Sequence, residues 1–219
     1  MRLLVALPLL LSLFVSPLIN RAEAATIAIF GQSTGTNLLT GDETAGITTL
    51  DANGVPVIIT TLNETGVAIN ALFSLDAVST GAVVNVFGSV YTQAYSGSFS
   101  ILSAGGFNYL SGTFDGISLG ADGGTTLLLG ATQPPLTLVF TSDVVGMPLG
   151  DPTAMALAFT NILPGITIVN NSFGDFTSNV SGTFSAAPVI PEPATLLLLG
   201  TGLIGVSRRF LKSKKVSKQ

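Results

Sequence analysis

The stretch "FTSNVSGTF", residues 176–184, decides how the body of this chain is read. Side chains of an extended segment alternate between two faces, so Phe176, Val180 and Phe184 fall on one side and Thr177, Asn179, Ser181 and Thr183 on the other. One side is built for a core and the other for water. "LTLVF" repeats the pattern at Leu136, Leu138 and Phe140.

Working outward, "VPVIITTL" (55–62), "GVAINALFSL" (66–75), "AVVNVFGSVY" (82–91), "LTLVFTS" (136–142), "MALAFTN" (155–161) and "ITIVN" (166–170) are rich in β-branched and aromatic residues. Between them stand turn signals: Asp51-Ala52-Asn53-Gly54, Gly105-Gly106, Asp122-Gly123-Gly124, Gln133-Pro134-Pro135 and Leu163-Pro164-Gly165. Short strands and frequent turns, with no helical period outside the chain ends, predict an all-β antiparallel sandwich or barrel. The fold expected for residues 25–187 is a β-sandwich of jelly-roll-like form. A parallel β-solenoid would need a fixed repeat, and none is present. Tyr109-Leu110-Ser111-Gly112-Thr113-Phe114 echoes Asn179-Val180-Ser181-Gly182-Thr183-Phe184, and Ser96-Gly97-Ser98-Phe99 is a fainter third copy. Either a duplication or equivalent places on one sheet would produce this.

The chain has 219 residues, 47% hydrophobic and only 9% charged, an unusual balance for a soluble domain. Its eight Lys and Arg lie at the two ends: Arg2 and Arg21, then Arg208, Arg209, Lys212, Lys214, Lys215 and Lys218. The twelve acids run from Glu23 to Glu192, so the net charge of −4 sums an acidic body and a basic tail. A body without cations offers nothing to phosphates, which argues against nucleic acid and anionic lipid heads as partners. Apolar burial and backbone hydrogen bonds must hold it together.

Residues 1–24 read as a signal peptide. Arg2 forms the positive start, an apolar stretch runs from Leu3 to about Val15, and Ala22-Glu23-Ala24 presents small residues to signal peptidase. At the other end, Pro193 to Ser207 is uncharged. As a helix it would reach roughly 22 Å, short of a hydrocarbon core of roughly 30 Å. Phe210 and Leu211 extend it while Arg208 and Arg209 snorkel, giving a single C-terminal transmembrane helix whose basic tail stays cytoplasmic. Pro191 and Pro193 hold the residues just before that helix extended.

Pro191-Glu192-Pro193, then "ATLLLLGTGLIGV", then "SRR" and further basic residues, resembles the PEP-CTERM sorting signal of exopolysaccharide-producing Gram-negative bacteria. The resemblance covers residues 189–219, with a basic tail longer than usual after Arg209. It implies recognition and processing by the membrane enzyme exosortase near Pro191, Glu192 and Pro193, with Arg208 and Arg209 as the stop. The segment 188–219 is then a sorting signal, held transiently at the inner membrane with the body extracytoplasmic before the cell surface or extracellular matrix is reached. The Ser181 to Ala186 strand leading into the triplet is similar to that of many such proteins.

Cys and His are absent from the sequence, and Lys is absent from the body. That removes Ser-His-Asp, Cys-His and Ser-Lys nucleophiles, Schiff-base lysines and His or thiolate zinc sites. Paired carboxylates could serve a glycosidase, but there is no Trp to line a sugar site, and the acids stand in turn-like contexts. The expectation is a non-enzyme without cofactor. Asp42, Glu43, Asp51 and Asn53 are weak calcium candidates, since oxygen ligands on loops suit a hard cation, although their spacing is not a regular calcium loop. Two roles stay open: an exported matrix or surface protein associated with exopolysaccharide in a biofilm, or an anchored module binding sugar or calcium. An exposed cluster of Tyr91, Tyr95 and Tyr109 would favour the second, a polar Ser/Thr/Asn face the first.

Overall fold

The computed structural model describes residues 24–188. Thirteen strands fill them: β1 (Ala25–Gln32), β2 (Leu39–Thr44), β3 (Ile47–Leu62), β4 (Thr65–Ser79), β5 (Val84–Phe87), β6 (Val90–Leu102), β7 (Asn108–Ala121), β8 (Thr126–Gln133), β9 (Leu138–Thr141), β10 (Gly150–Leu163), β11 (Ile168–Val169), β12 (Ser172–Phe173) and β13 (Phe176–Ala187). No helix is found among the described residues. The all-β antiparallel reading holds for them. The signal peptide and the C-terminal helix lie outside them.

Three pairs of strands are broken single rows. β1 and β2 run along β13 in one direction, Gly31 opposite Ser181 and then Leu39 opposite Ser178, with residues 33–38 looped out between. β4 and β5 follow one another along β6, and β8 and β9 along β7. The sheet therefore has eight rows, in the order β1/β2, β3, β4/β5, β6, β7, β8/β9, β10, β13, and the last pairs with the first. Every row neighbours the rows before and after it in the chain. This is a closed up-and-down barrel, not the two-sheet jelly roll expected from sequence. Short turns join consecutive strands, so pairing follows chain order and no Greek-key crossover forms. Bulges within β1, β3 and β10, at Val86 of β5 and at Tyr109 of β7 add the curvature that closure needs.

One expected turn is a bulge. Asp51-Ala52-Asn53-Gly54 lies inside β3, where the register against β4 shifts between Ala52 and Val55 and Gly54 takes a φ of 62°. The left-handed glycine absorbs one extra residue without ending the strand. Two-residue hairpin ends stand instead at Ala45-Gly46, Asn63-Glu64 and Asn170-Asn171, all six residues with positive φ, as the primed two-residue turns of hairpins require.

The interior is solid. Inward positions carry Phe30, Phe73, Phe99, Phe140 and Phe184 from five different strands. Their rings form a connected stack, with centroids 4.8 Å apart for Phe30–Phe73, 4.7 Å for Phe99–Phe184 and 5.9 Å for Phe140–Phe184. The echoed motif explains itself here. Gly97 stands opposite Phe114 and Phe99 opposite Gly112, while Gly182 stands opposite Phe30. At Gly182 the missing side chain makes room for the Phe30 ring, at Gly112 for Val139 O and the Phe99 ring, and at Gly97 for the β4 backbone at Asp76 and Ala77, while flanking Ser and Thr point outward. Equivalent places on one sheet therefore account for the echo.

Up-and-down connectivity sets the ends. Ala25 pairs with Ala186, so both ends of the body emerge at one rim, together with the loops 63–64, 103–107 and 142–149. The opposite rim carries the turns 45–46, 88–89 and 122–125 and the long connection 164–175. That connection, with the β11–β12 hairpin at its centre, folds across the rim as a cap. Gly123 N–H donates to Ile166 O (2.7 Å), Ile166 N–H to Gly124 O (2.8 Å) and Val83 N–H to Asn171 O (2.8 Å).

Candidate functional site

The outward face of β3, β4, β6, β7 and β9 is a ladder of hydroxyls and carboxylates. In one row Asp51 stands opposite Asp76, Asp76 opposite Ser98, and Ser98 opposite Thr113. The next row sets Ser74 against Ser100, Ser100 against Ser111 and Ser111 against Thr141, with Ser111 and Thr141 hydroxyls 2.8 Å apart. On the other side Val78, Ser96 and Asp115 align. An open groove of about 440 Å³ runs over Asp76, Ser96, Ser98, Thr113, Asp115 and Thr137. It is shallow because the rings beneath it fill the barrel.

The tyrosines do not gather on this face. Tyr95 is 1% exposed, and its hydroxyl donates to Gln93 Oε1 at 3.0 Å. Burial pushes its pKa far above the ordinary tyrosine range, against a smaller opposing contribution from Thr48. Tyr91 and Tyr109 are half-buried and pack on the core.

Gln93 organises a buried polar cluster beneath the cap. Its Nε2 donates to Ser172 Oγ (2.7 Å) and Gly81 O (3.0 Å), and its Oε1 accepts from Phe173 N–H (3.3 Å). Thr48 N–H donates to Ser79 Oγ (2.9 Å), and Thr48 Oγ1 bonds Ser172 Oγ and Phe173 O. These bonds satisfy the backbone of the cap where it covers the core. The cluster is structural glue with no opening to a substrate. It was legible in principle, because Gln93 shares the parity of Tyr95 and Phe99. Asp76 and Asp115 carry no comparable sequence signal, since only the strand register brings them into line with Asp51.

The four calcium candidates are spread along the β2–β3 hairpin. Asp42 and Asp51 point outward in diagonal positions, Asp42 opposite Thr49 and Asp51 opposite Thr40, and Asn53 sits in the β3 bulge. Glu43 is engaged elsewhere: its carboxylate accepts from Gly46 N–H (2.6 Å) and from Asn170 Nδ2 (3.3 Å), and so ties the cap to the first row. Among the described residues no three acids come together in a way that could hold a metal ion, nor is any helix long and apolar enough to cross a membrane. Ala24 is exposed immediately before β1. Ala22, Pro191, Glu192, Pro193, Arg208 and Arg209 lie outside the described residues.

The body thus defines a closed, filled barrel with a hydroxyl-rich outer face, and its last strand ends at Ala187. Residues 189–212 match the PEP-CTERM protein-sorting motif. A sorting motif of this kind implies exosortase as processing partner and a secreted, membrane-transiting protein with an extracytoplasmic body. No curated protein and no solved structure matched the chain.

Proposed function

We propose that the protein is a non-catalytic component of the cell surface or extracellular matrix, released from its membrane tail by exosortase and associated with exopolysaccharide in a biofilm. The observation that carries this reading is the outer ladder of Ser, Thr and Asp over a filled interior. A hydroxyl-rich surface exchanges hydrogen bonds with hydrated polysaccharide over a broad area, without a deep site. The aromatic platform that a discrete sugar site would use is turned inward at Tyr95. The paired start and end of the barrel present the cap rim away from the attachment rim, which suits a displayed body.

The test is Glu192→Gln. A carboxylate on an extended segment between two prolines gives a charge-assisted contact that an amide cannot match, whereas the apolar run and Arg208 and Arg209, which set topology, are untouched. The variant should insert normally and accumulate at the inner membrane at its uncleaved mass. Replacing Arg208 and Arg209 by Asp should instead disturb insertion. Equal yield and final mass for Glu192→Gln and the parent would reduce the triplet to a helix boundary.

A further inference from the structure

We propose that, while its tail holds the chain at the membrane, the body lies with the wall formed by β8, β10, β13 and β1 on the bilayer surface and so turns the hydroxyl ladder outward. The inference rests on the sorting reading above and adds an orientation to it. Of the eight rows, β13 stands four places from β6 in either direction round the ring, so this wall is diametrically opposite Ser96 and Ser98 of the ladder. Its outward side chains differ in kind. One row sets Gly130, Ala156, Thr183 and Ile29 side by side, and the next sets Leu128, Ala158 and Ser181. They line an open groove of about 420 Å³, flanked by Ile29 and by Leu128, which is 48% exposed. Along the four strands the one charged residue is Asp151. It stands at the attachment end of β10, where Gln133 Nε2 donates to its Oδ2 at 3.3 Å.

Chain length and charge together select lipid as the occupant. β13 belongs to this wall and ends at Ala187. Residues 188–192 alone precede the uncharged run that begins at Pro193, and five residues reach at most about 18 Å. A membrane entered by that run is therefore the surface within reach of the wall. A free protein needs roughly 800 Å² per partner to dock, but a tethered contact is intramolecular and holds with a few apolar side chains. Other postures place carboxylates on lipid: Asp51, Asp76 and Asp115 if the body lies on its ladder, Glu64 and Asp143 if it stands on the attachment rim, where both are exposed. Burying an unpaired carboxylate is costly, whereas Leu128 and Ile29 gain by leaving water. Once the tail is cut the contact becomes bimolecular, and so small a patch no longer retains the body.

The sequence has no Cys, so a single label reports on each wall. Full-length Ala156→Cys and Ser98→Cys, both at exposed positions, are labelled with a fluorophore and reconstituted in phosphatidylcholine vesicles with or without nitroxide on the acyl chains. The label at 156 should lose most of its fluorescence to the nitroxide, and the label at 98 should keep it. Leu128→Asp places charge on an already exposed position, so the fold is spared, and it should restore the fluorescence at 156. Equal loss at both positions, or a loss at 156 that Leu128→Asp leaves unchanged, would overturn the proposal. A disulfide-linked dimer of unlabelled Ala156→Cys in the same vesicles, in place of quenching, would give the wall to a second copy and overturn the choice of lipid. A chain that fails to float with the vesicles would sink the sorting reading and this inference together, whereas a floating chain without quenching at 156 sinks this inference alone.

Discussion

At Gly182 a methyl group would come within 2.5 Å of the Phe30 ring and 2.7 Å of Leu157. The glycine is a steric necessity of the ring stack. Gly182→Ala should destabilise the body by about 1–3 kcal/mol, as overpacking does, and Phe184→Ala should cost about 3–5 kcal/mol, as large core truncations do; denaturant melts measure both. Tyr95 supplies a pH test. Its neutral form is favoured in the folded state, so its pKa is raised above the unfolded value of about 10. The stability it contributes is fully present below that value and is lost as pH climbs towards the folded pKa. The parent should therefore lose stability above about pH 10, with tyrosinate absorbance of Tyr95 rising together with unfolding. Tyr95→Phe should flatten that loss, and an unchanged alkaline slope would show that burial of Tyr95 is not its source. The inward parity of Phe176, Val180 and Phe184 was plain in the sequence because apolar and polar residues alternate cleanly there. The pairing of each motif glycine with a ring on the next strand was not, because it depends on register.

Among the elements, the cap is the least legible from sequence and the easiest to isolate experimentally. "ITIVN" reads as one strand, but Asn170 and Asn171 turn it back as a tight hairpin with φ of 49° and 62°. Asn tolerates that conformation and β-branched residues do not. Asn171→Val should cost about 1–3 kcal/mol and should raise hydrogen exchange first at Ile166 and Gly123, whose amides tie the cap to the rim. Unchanged exchange there would mean that the cap is held without its turn. "AVVNVFGSVY" likewise reads as one strand, but Gly88 with φ 56° breaks it into β5 and β6. β6 and β7 escaped the propensity reading for another reason. The outward positions of β6 run through Ala94, Ser96, Ser98 and Ser100, and the inward positions of β7 hold Gly112, Gly116, Ser118 and Gly120, so neither strand shows a continuous run of β-forming residues.

For the whole molecule, the absence of Lys and Arg between Arg21 and Arg208 predicts that the folded body gains stability with added salt, since carboxylate repulsion is screened over about 8–10 Å at physiological ionic strength. Thermal melts at rising sodium chloride check the direction, and a fall in melting temperature would reveal compensating charge such as a bound cation. All-β antiparallel architecture was legible from strand alternation and turn spacing. Closure into a single ring was not, because sandwich and barrel share the same local pattern and differ only in whether the last strand meets the first. The sorting motif matched at residues 189–212 was legible, as a linear motif depends on no register. The central claim, an exported body freed from its sorting tail, is tested most directly by the intact mass of the protein recovered from the cell surface and medium. The account predicts a chain lacking both residues 1–24 and the segment beyond the Pro191-Glu192-Pro193 triplet, whereas surface protein that still carries Arg208 and Arg209 at its unprocessed mass would contradict it.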